Sequence, residues 1–243
     1  MRSALPSASE KPRYVAAMFG RIAQRYDFMN TLITAGQDGR WRRAVARTLD
    51  GLGSSAWVLD VGSGTGRLAQ AVQARHPSWR VIAADFTLPM LAVAPRTVRR
   101  AAADAQTLPF ADGQFDAVIS GFLVRNLADL QRGLAEQVRV LRPGGRLVIL
   151  ETTPGPAIWP VAVVYRQYFQ RLVPLLGALI AGDGSAYTYL PESTLQFLEP
   201  DRLADRLRAL GLVNVCVRRF TLGCVALTVA RKQTLSSGPG ERS

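Results

Sequence analysis

The run Val58-Leu-Asp-Val-Gly-Ser-Gly-Thr-Gly66 places three glycines at alternate positions directly after an apolar stretch. This pattern predicts a strand that ends in a tight turn and opens a helix, and open α/β sheets bind ligands at such strand ends. Glycine lets backbone approach a ligand closely and can take positive φ. The spacing of Gly62, Gly64 and Gly66 differs from the Gly-x-Gly-x-x-Gly fingerprint of dinucleotide sites. Asp85 closes the next apolar run, 19 residues past Gly66. A carboxylate there can accept from both ribose hydroxyls, which says nucleoside without saying which, the alternative being a loop or N-cap aspartate. Asp104-Ala105 ends a third run, where a carboxylate can accept from an adenine amino group. A fourth run, Phe115–Gly121, would flank the rest of the ligand, and Asp116 at its start reads as structural.

Other reactive side chains are few. His76, the one histidine, sits in Arg75-His-Pro-Ser between a helix and a strand and reads as a surface residue. Two cysteines, Cys216 and Cys224, add too few ligands for a zinc site, so no metal is expected. They read as buried free thiols in a reducing cytoplasm, although they could face each other across a hairpin.

These residues need a sheet to hold them. Apolar strands over 56–61, 80–84, 98–103, 115–120 and 146–151 alternate with helices over 67–75, from 89, and over 130–141. Such alternation implies a parallel sheet with helices on both faces. Ahead of it, residues 14–50 carry apolar positions at helical spacing, punctuated by Gly36 and Gly39, and predict two or three helices. After Thr153-Pro-Gly-Pro156 an insertion over 157–195 holds Trp159, Tyr165, Tyr168, Phe169, Tyr187 and Tyr189. A helix over 200–210 and an antiparallel hairpin over 213–230 close the chain. The expected division is an irregular start over 1–13, one domain over 14–232 and a disordered tail over 233–243. Within the domain, 14–50 is a cap, 51–155 the core, 156–195 a lid, and 196–232 the last helix and hairpin.

The chain has 243 residues, 48% hydrophobic, and a net charge of +12. Lys11 and Lys232 are its two lysines, so 28 of the 30 bases are arginine. The first 47 residues carry nine bases against three acids. No zinc spacing or RNA-binding signature accompanies the charge, which favours an anionic membrane surface over nucleic acid. The alternative is a solvated, arginine-rich surface. The N-terminus lacks a signal-peptide core. The apolar stretch 156–182 is interrupted by Arg166, Arg171, Pro160 and Pro174 and falls short of a membrane span.

In this order the glycine turn, Asp85, Asp104-Ala105 and the fourth strand resemble the class I methyltransferases that use S-adenosylmethionine (SAM). The resemblance implies a Rossmann-like sheet of seven strands, the last antiparallel. It implies that Thr65, Asp85, Asp104 and Ala105 hold SAM together with Gly64, Gly66 and Gly121, with Asp60 and Gly62 near its methionine end. Longer strings are more specific. Met18-Phe-Gly-Arg-Ile-Ala-Gln-Arg-Tyr-Asp-Phe-Met-Asn30, Gly36-Gln-Asp-Gly-Arg-Trp-Arg42, Arg139-Val-Leu-Arg-Pro-Gly-Gly-Arg146, Leu150-Glu-Thr-Thr-Pro154 and Tyr187-Thr-Tyr-Leu-Pro-Glu-Ser193 resemble the ubiquinone/menaquinone biosynthesis C-methyltransferases. That likeness runs from about residue 14 to 232. Two departures stand out. Leu123 replaces the glycine of the family's Phe-Gly-x-Arg-Asn, which would narrow or reshape the ring pocket. Thr221-Leu-Gly-Cys also differs from the usual Thr-Gly-Gly.

The resemblance implies methylation of a ring carbon on a polyprenylated quinol, with demethylmenaquinol as the expected substrate. A quinol carbon becomes nucleophilic when the neighbouring hydroxyl loses its proton, so the enzyme needs a hydrogen-bond network and support for the phenolate. Arg125 and Asn126 follow the fourth strand and are the candidates. Arginine stays protonated and would stabilise the phenolate, while Tyr26 or water could carry the proton. Asp27 could instead pair with a cap arginine. Arg125-Asn126 could also be a helix-start ion pair and cap. The aromatic insertion would cover ring and tail, and an apolar patch rimmed with arginine would dock on the inner face of the membrane from the cytoplasm. Nucleic acid is not an expected partner, and a homodimer is left open. Two other readings stand: the same enzyme class with RNA or another small molecule as acceptor, or a non-catalytic SAM-binding partner in an assembly.

Overall fold

The computed structural model describes residues 6, 7, 9–156, 159–181 and 184–234. Seven strands form one sheet: β1 (Trp57–Val61), β2 (Arg80–Asp85), β3 (Arg99–Ala102), β4 (Phe115–Gly121), β5 (Leu141–Thr152), β6 (Leu212–Phe220) and β7 (Val225–Lys232). Their order is β3-β2-β1-β4-β5-β7-β6. β1 to β5 pair in parallel, and β7 runs antiparallel to both β5 and β6. This is the seven-stranded arrangement expected, with the last strand reversed. Chain order turns back between β1 and β4, so the crevice of the sheet opens at the ends of those two strands.

Successive strand residues point to opposite faces, and in the central strands β1 and β4 both faces are covered, so these read as largely apolar runs. On one face Val58, Val81, Ile119 and Val148 pack against α2 (Gln37–Thr48) and α3 (Arg67–Arg75) through Trp41, Val45, Leu68 and Val72. On the other, Leu59, Val118, Leu147 and Ile149 pack against α5 (Leu130–Val140) and α9 (Pro200–Ala209) through Leu134, Leu203 and Leu207. A short α4 (Leu88–Val93) follows β2.

The cap is α1 (Lys11–Ile33) and α2. Helix α1 starts at Lys11, inside the segment expected to be irregular, because Pro12 suits a first helical turn where no intrahelical N–H partner is needed. Gly36, at φ 74°, makes the break between the two helices. Gly39 does not punctuate the cap; it lies within α2. The insertion is helical throughout its described residues: α6 (Trp159–Gln167), a π turn (Tyr168–Leu172), α7 (Val173–Leu176), a second π turn (Gly177–Ala181) and α8 (Gly184–Leu195). Val15, Met18, Ile22 and Met29 of α1 pack on Phe169, Val173, Tyr187 and Tyr189 to form a third core. Tyr168 donates to Ile33 O at 2.7 Å and Arg25 to Ile180 O at 2.8 Å, so cap and insertion are tied at both ends.

The cysteine expectation needs correction. Cys216 is exposed and Cys224 half-buried, and Cys216 pairs in register with Val229. The register therefore keeps the two thiols apart. His76 stacks on Trp79 and approaches Asp50 at 3.2 Å, away from the strand ends. Most of the tail, residues 235–243, lies outside the described residues.

Candidate functional site

Two cavities meet where β1 and β4 end. The smaller, about 80 Å³, is lined by Gly62, Gly64, Asp85, Asp104, Ala105 and Gly121 among others. Six of the nine residues expected to hold the donor therefore converge on one space. Gly62, Gly64 and Gly66 have φ of 65°, 56° and 75°, the left-handed region open to glycine at little cost. A Cβ on Gly64 would stand 3.2 Å from Met90, so the turn is also closely packed.

Asp60, Thr65 and Gly66 stand behind that lining. The Asp60 carboxylate accepts from Ala69 N at 2.9 Å and so joins β1 to α3. Its other oxygen is buried with no hydrogen-bond partner among the described residues. Burial, followed by the nearby charge of Asp85, raises the Asp60 pKa to about 8 although the Ala69 hydrogen bond opposes it. Asp85 accepts from Gly64 N at 2.8 Å and Thr87 N at 2.7 Å, which fixes the turn against the end of β2. Burial pushes its pKa up as well. A carboxylate has about four lone-pair sites, so Asp85 keeps capacity for further donors. Asp104 is exposed and accepts from Gln106 N at 2.9 Å. Thr65 donates to Asp27 of the cap at 2.7 Å, and Asp27 also meets Arg67 at 3.0 Å. Asp27 therefore pairs across to the glycine turn rather than within the cap.

The larger cavity, about 410 Å³, lies between α1, α2, the insertion and the β6–β7 loop. Its walls include Trp41, Tyr165, Tyr168, Phe169, Tyr187 and Tyr189. Phe19, Tyr26 and Phe122 line both cavities and form the partition between them. Phe19 and Tyr26 meet edge to face with centroids 5.6 Å apart.

The turn after β4 carries Val124–Asn126. It begins at Phe122, whose φ of 59° is unusual for a bulky residue and marks stored strain. That backbone aims the Phe122 carbonyl at two donors, Arg125 Nη1 at 2.8 Å and Asn126 Nδ2 at 3.0 Å. Arg125 forms a buried ion pair with Glu151 of β5, and Glu151 also accepts from Thr152 N at 2.9 Å. Arg125 lines the larger cavity, and its Nε is buried with no hydrogen-bond partner in the described structure. Asn126 lines the smaller cavity and accepts from Tyr189 at 3.2 Å. Arg125, Asn126 and Tyr26 thus gather at the partition. Burial pushes the Tyr26 phenol up, and it pushes Tyr189 up to about 12, so both stay protonated near neutral pH.

Leu123 lies elsewhere than expected. Its side chain presses on Gly62, leaving no room for a Cβ there, and it lines the smaller cavity. It is absent from the lining of the larger one. It therefore shapes the space over the glycine turn and not the larger cavity. Asp116 is structural, accepting from Trp57 N at 2.6 Å and pairing with Arg142.

Sequence reading missed Glu151 and Asp38. Glu151 falls in a quoted string, but only the strand pairing of β4 with β5 puts it beside Arg125. Asp38 is the one carboxylate lining the larger cavity among the described residues, bound to Arg42 at 2.5 Å. No local signal in the sequence marks it.

The family model "ubiE/COQ5 methyltransferase family" matches residues 7–232. The demethylmenaquinone methyltransferase of Deinococcus radiodurans is 43% identical over 232 residues, covering 92% of this chain and 95% of its own. That of Thermus thermophilus is 46% identical over 220 residues, covering 87% and 98%. Among solved structures, a SAM-dependent methyltransferase of Thermotoga maritima superposes with a TM-score of 0.67 at 16% identity, covering 89% of this chain and 99% of that one. A glycine turn closed by Asp85, an adjoining aromatic cavity and relatives matched along nearly their whole length agree: this chain belongs to the ubiE/COQ5 methyltransferase family and is a SAM-dependent methyltransferase.

Proposed function

We propose that the chain methylates a ring carbon of a polyprenylated quinol, demethylmenaquinol in the first instance. The observation that carries this reading is the aromatic cavity of about 410 Å³ sharing Phe19, Tyr26 and Phe122 with the donor cavity. Its size suits a bicyclic ring and the start of a tail. The named activity of the Deinococcus and Thermus relatives supports the same substrate.

Gly62, Gly64, Asp85, Asp104, Ala105 and Gly121 would hold SAM, backed by Asp60, Thr65 and Gly66. The residues fit it: the turn admits close approach, and Asp85 and the unpartnered Asp60 oxygen offer acceptors to a nucleoside and an ammonium group. When bound there, SAM supplies a methyl group that is already electrophilic. The chain's own task is to make the acceptor carbon nucleophilic and hold it in place. Arg125 lines the larger cavity, and its positive charge would stabilise the phenolate left after proton loss. Glu151 keeps that guanidinium oriented. Tyr26 and Asn126 supply further hydrogen bonds at the partition. Because the tyrosines stay protonated, the proton would pass to water. Transfer would break the sulfonium–methyl bond as the carbon–carbon bond forms, and the ring carbon's proton would then pass through water to the ring oxygen, restoring the aromatic quinol.

A lipid acceptor calls for a membrane-facing surface. Trp159, Val164, Leu175 and Leu179 are exposed on α6, α7 and the second π turn, beside exposed Arg166 and Arg171. We assign this face to peripheral contact with an anionic bilayer. No described helix is long and apolar enough to cross one.

The test is incubation with SAM and demethylmenaquinol followed by mass spectrometry. A product heavier by one methyl group is expected. An inert demethylmenaquinol beside a methylated benzoquinol would change the ring, and inertness of all quinols would reject the reading.

A further inference from the structure

The chain uses arginine for 28 of its 30 basic residues, and the two lysines share one structural habit. Lys232 directs Nζ at a cluster of carbonyls where α5 ends, Val138 O at 2.7 Å, Leu141 O at 2.6 Å and Arg139 O at 3.4 Å. Lys11 does the same 2.9 Å from both Arg125 O and Leu127 O. Carbonyls that converge at the end of a helical turn have no partner within it. An ammonium offers three donors on one compact point. A guanidinium nitrogen can also reach two such carbonyls, as Arg146 Nη1 does at Thr48 O and Asp50 O where α2 ends.

The two sites differ in what they hold. Lys232 closes a structural helix end far in sequence from the cavities. Lys11 closes the turn that carries Arg125 and Asn126. It also opens α1, whose later residues Val15, Phe19 and Tyr26 line the donor cavity. The side chains of the turn are tied to β5 and α8 through Glu151 and Tyr189. Its backbone is tied to the cap through Lys11.

We propose that Lys11 is a positioning residue for methyl transfer: its ammonium sets the register between α1 and the Val124–Asn126 turn. This rests on the reading of Arg125 and Asn126 as acceptor-side residues. Misplacement of the acceptor by a fraction of an ångström should appear in kcat more than in donor binding.

The experiment compares Lys11→Met, Lys11→Arg and, as control, Lys232→Met, measuring kcat, KM for SAM, Tm and amide hydrogen exchange. Lys11→Met should lower kcat by about ten- to a hundredfold. Its KM for SAM should stay within about threefold of wild type on the same argument. Lys11→Arg, which keeps donors for both carbonyls, should recover part of the loss. Lys232→Met should lower Tm while keeping kcat within about twofold, since it touches neither cavity. The amides of Asn126 and Leu127 should exchange faster in Lys11→Met and not in the control. Wild-type kcat in Lys11→Met, or equal kcat losses at both lysines, would each overturn the proposal. If the wild-type enzyme turns over no quinol, it is the substrate reading that fails. Exchange at 126–127 then judges Lys11 alone, and unchanged exchange rejects it.

Discussion

At the scale of single residues the site is held by buried charges, and these set its most direct tests. Arg125 and Glu151 are both almost fully buried and paired. Removing one partner strands the other, so Arg125→Ala should cost about 3–5 kcal/mol of stability. It should also lower kcat by about a hundredfold, the order seen when one charge-stabilising donor is lost. The double change Arg125→Met with Glu151→Leu separates the two effects. Replacing a buried pair by apolar groups of similar volume is often neutral for stability, so denaturant midpoints should recover while turnover stays lost. Recovery of both would show that the guanidinium has no part in the chemistry. Asp60 gives a second test. Burial raises its pKa to about 8, so the fold holds a proton on Asp60 that the unfolded chain has released. Stability from this group is complete below about pH 4 and declines as pH rises to about 8. Asp85 is shifted in the same direction. Asp60→Asn removes the titration and keeps the acceptor for Ala69 N. Without SAM, the wild-type Tm should fall more between pH 5 and pH 9 than that of Asp60→Asn; parallel curves would show that Asp60 does not titrate in that window.

At the scale of elements, the insertion stands on close helix contacts. Gly177 opens the second π turn against Tyr187 of α8, and an added Cβ would overlap that side chain. Gly177→Ala should therefore cost about 1–3 kcal/mol through overpacking. Because Tyr187 lines the acceptor cavity and not the donor cavity, KM for the quinol should rise while KM for SAM holds. Equal changes in both would place the strain in the sheet. The same element shows where sequence reading stops. The glycine turn and Asp85 were legible because each lies at the end of a strand whose apolar run is local. Asp104 and Gly121 followed from the same strand ends. The acceptor cavity draws on α1, α2, the insertion and the β6–β7 loop, so its shape depends on packing between segments over a hundred residues apart. Glu151, Asp38 and Lys11 were invisible for that reason. Leu123 was noticed as a departure but given to the wrong cavity, because the left-handed Phe122 turns the next side chain back over Gly62. Gly39 and Cys216 were misread because spacing alone does not say whether a glycine breaks a helix or which face of a hairpin a thiol takes.

At the scale of the whole molecule, charge and exposed apolar surface act together. On the proposed membrane-facing reading, a net charge of +12 would attract anionic headgroups from about a Debye length, roughly 8 Å at physiological ionic strength. Each basic residue near the surface contributes about 1 kcal/mol. That attraction alone is screened by salt and gives no fixed orientation. Trp159, at 78% exposure, and Leu179, at 74%, would enter that interface and orient the insertion that forms one wall of the larger cavity. The two contributions separate experimentally. Co-sedimentation with vesicles containing anionic lipid should be strong at low salt and weaken as salt rises, while neutral vesicles should bind little. A Trp159→Ser, Leu175→Ser, Leu179→Ser variant keeps every charge and every cavity residue. It should retain kcat toward a short-tailed quinol in solution, yet lose most turnover of a long-tailed quinol embedded in anionic vesicles. If it works equally on both, the arginines suffice for access and the apolar face has another use. If it fails on both, the outward face of the lid supports the cavity from behind rather than meeting lipid.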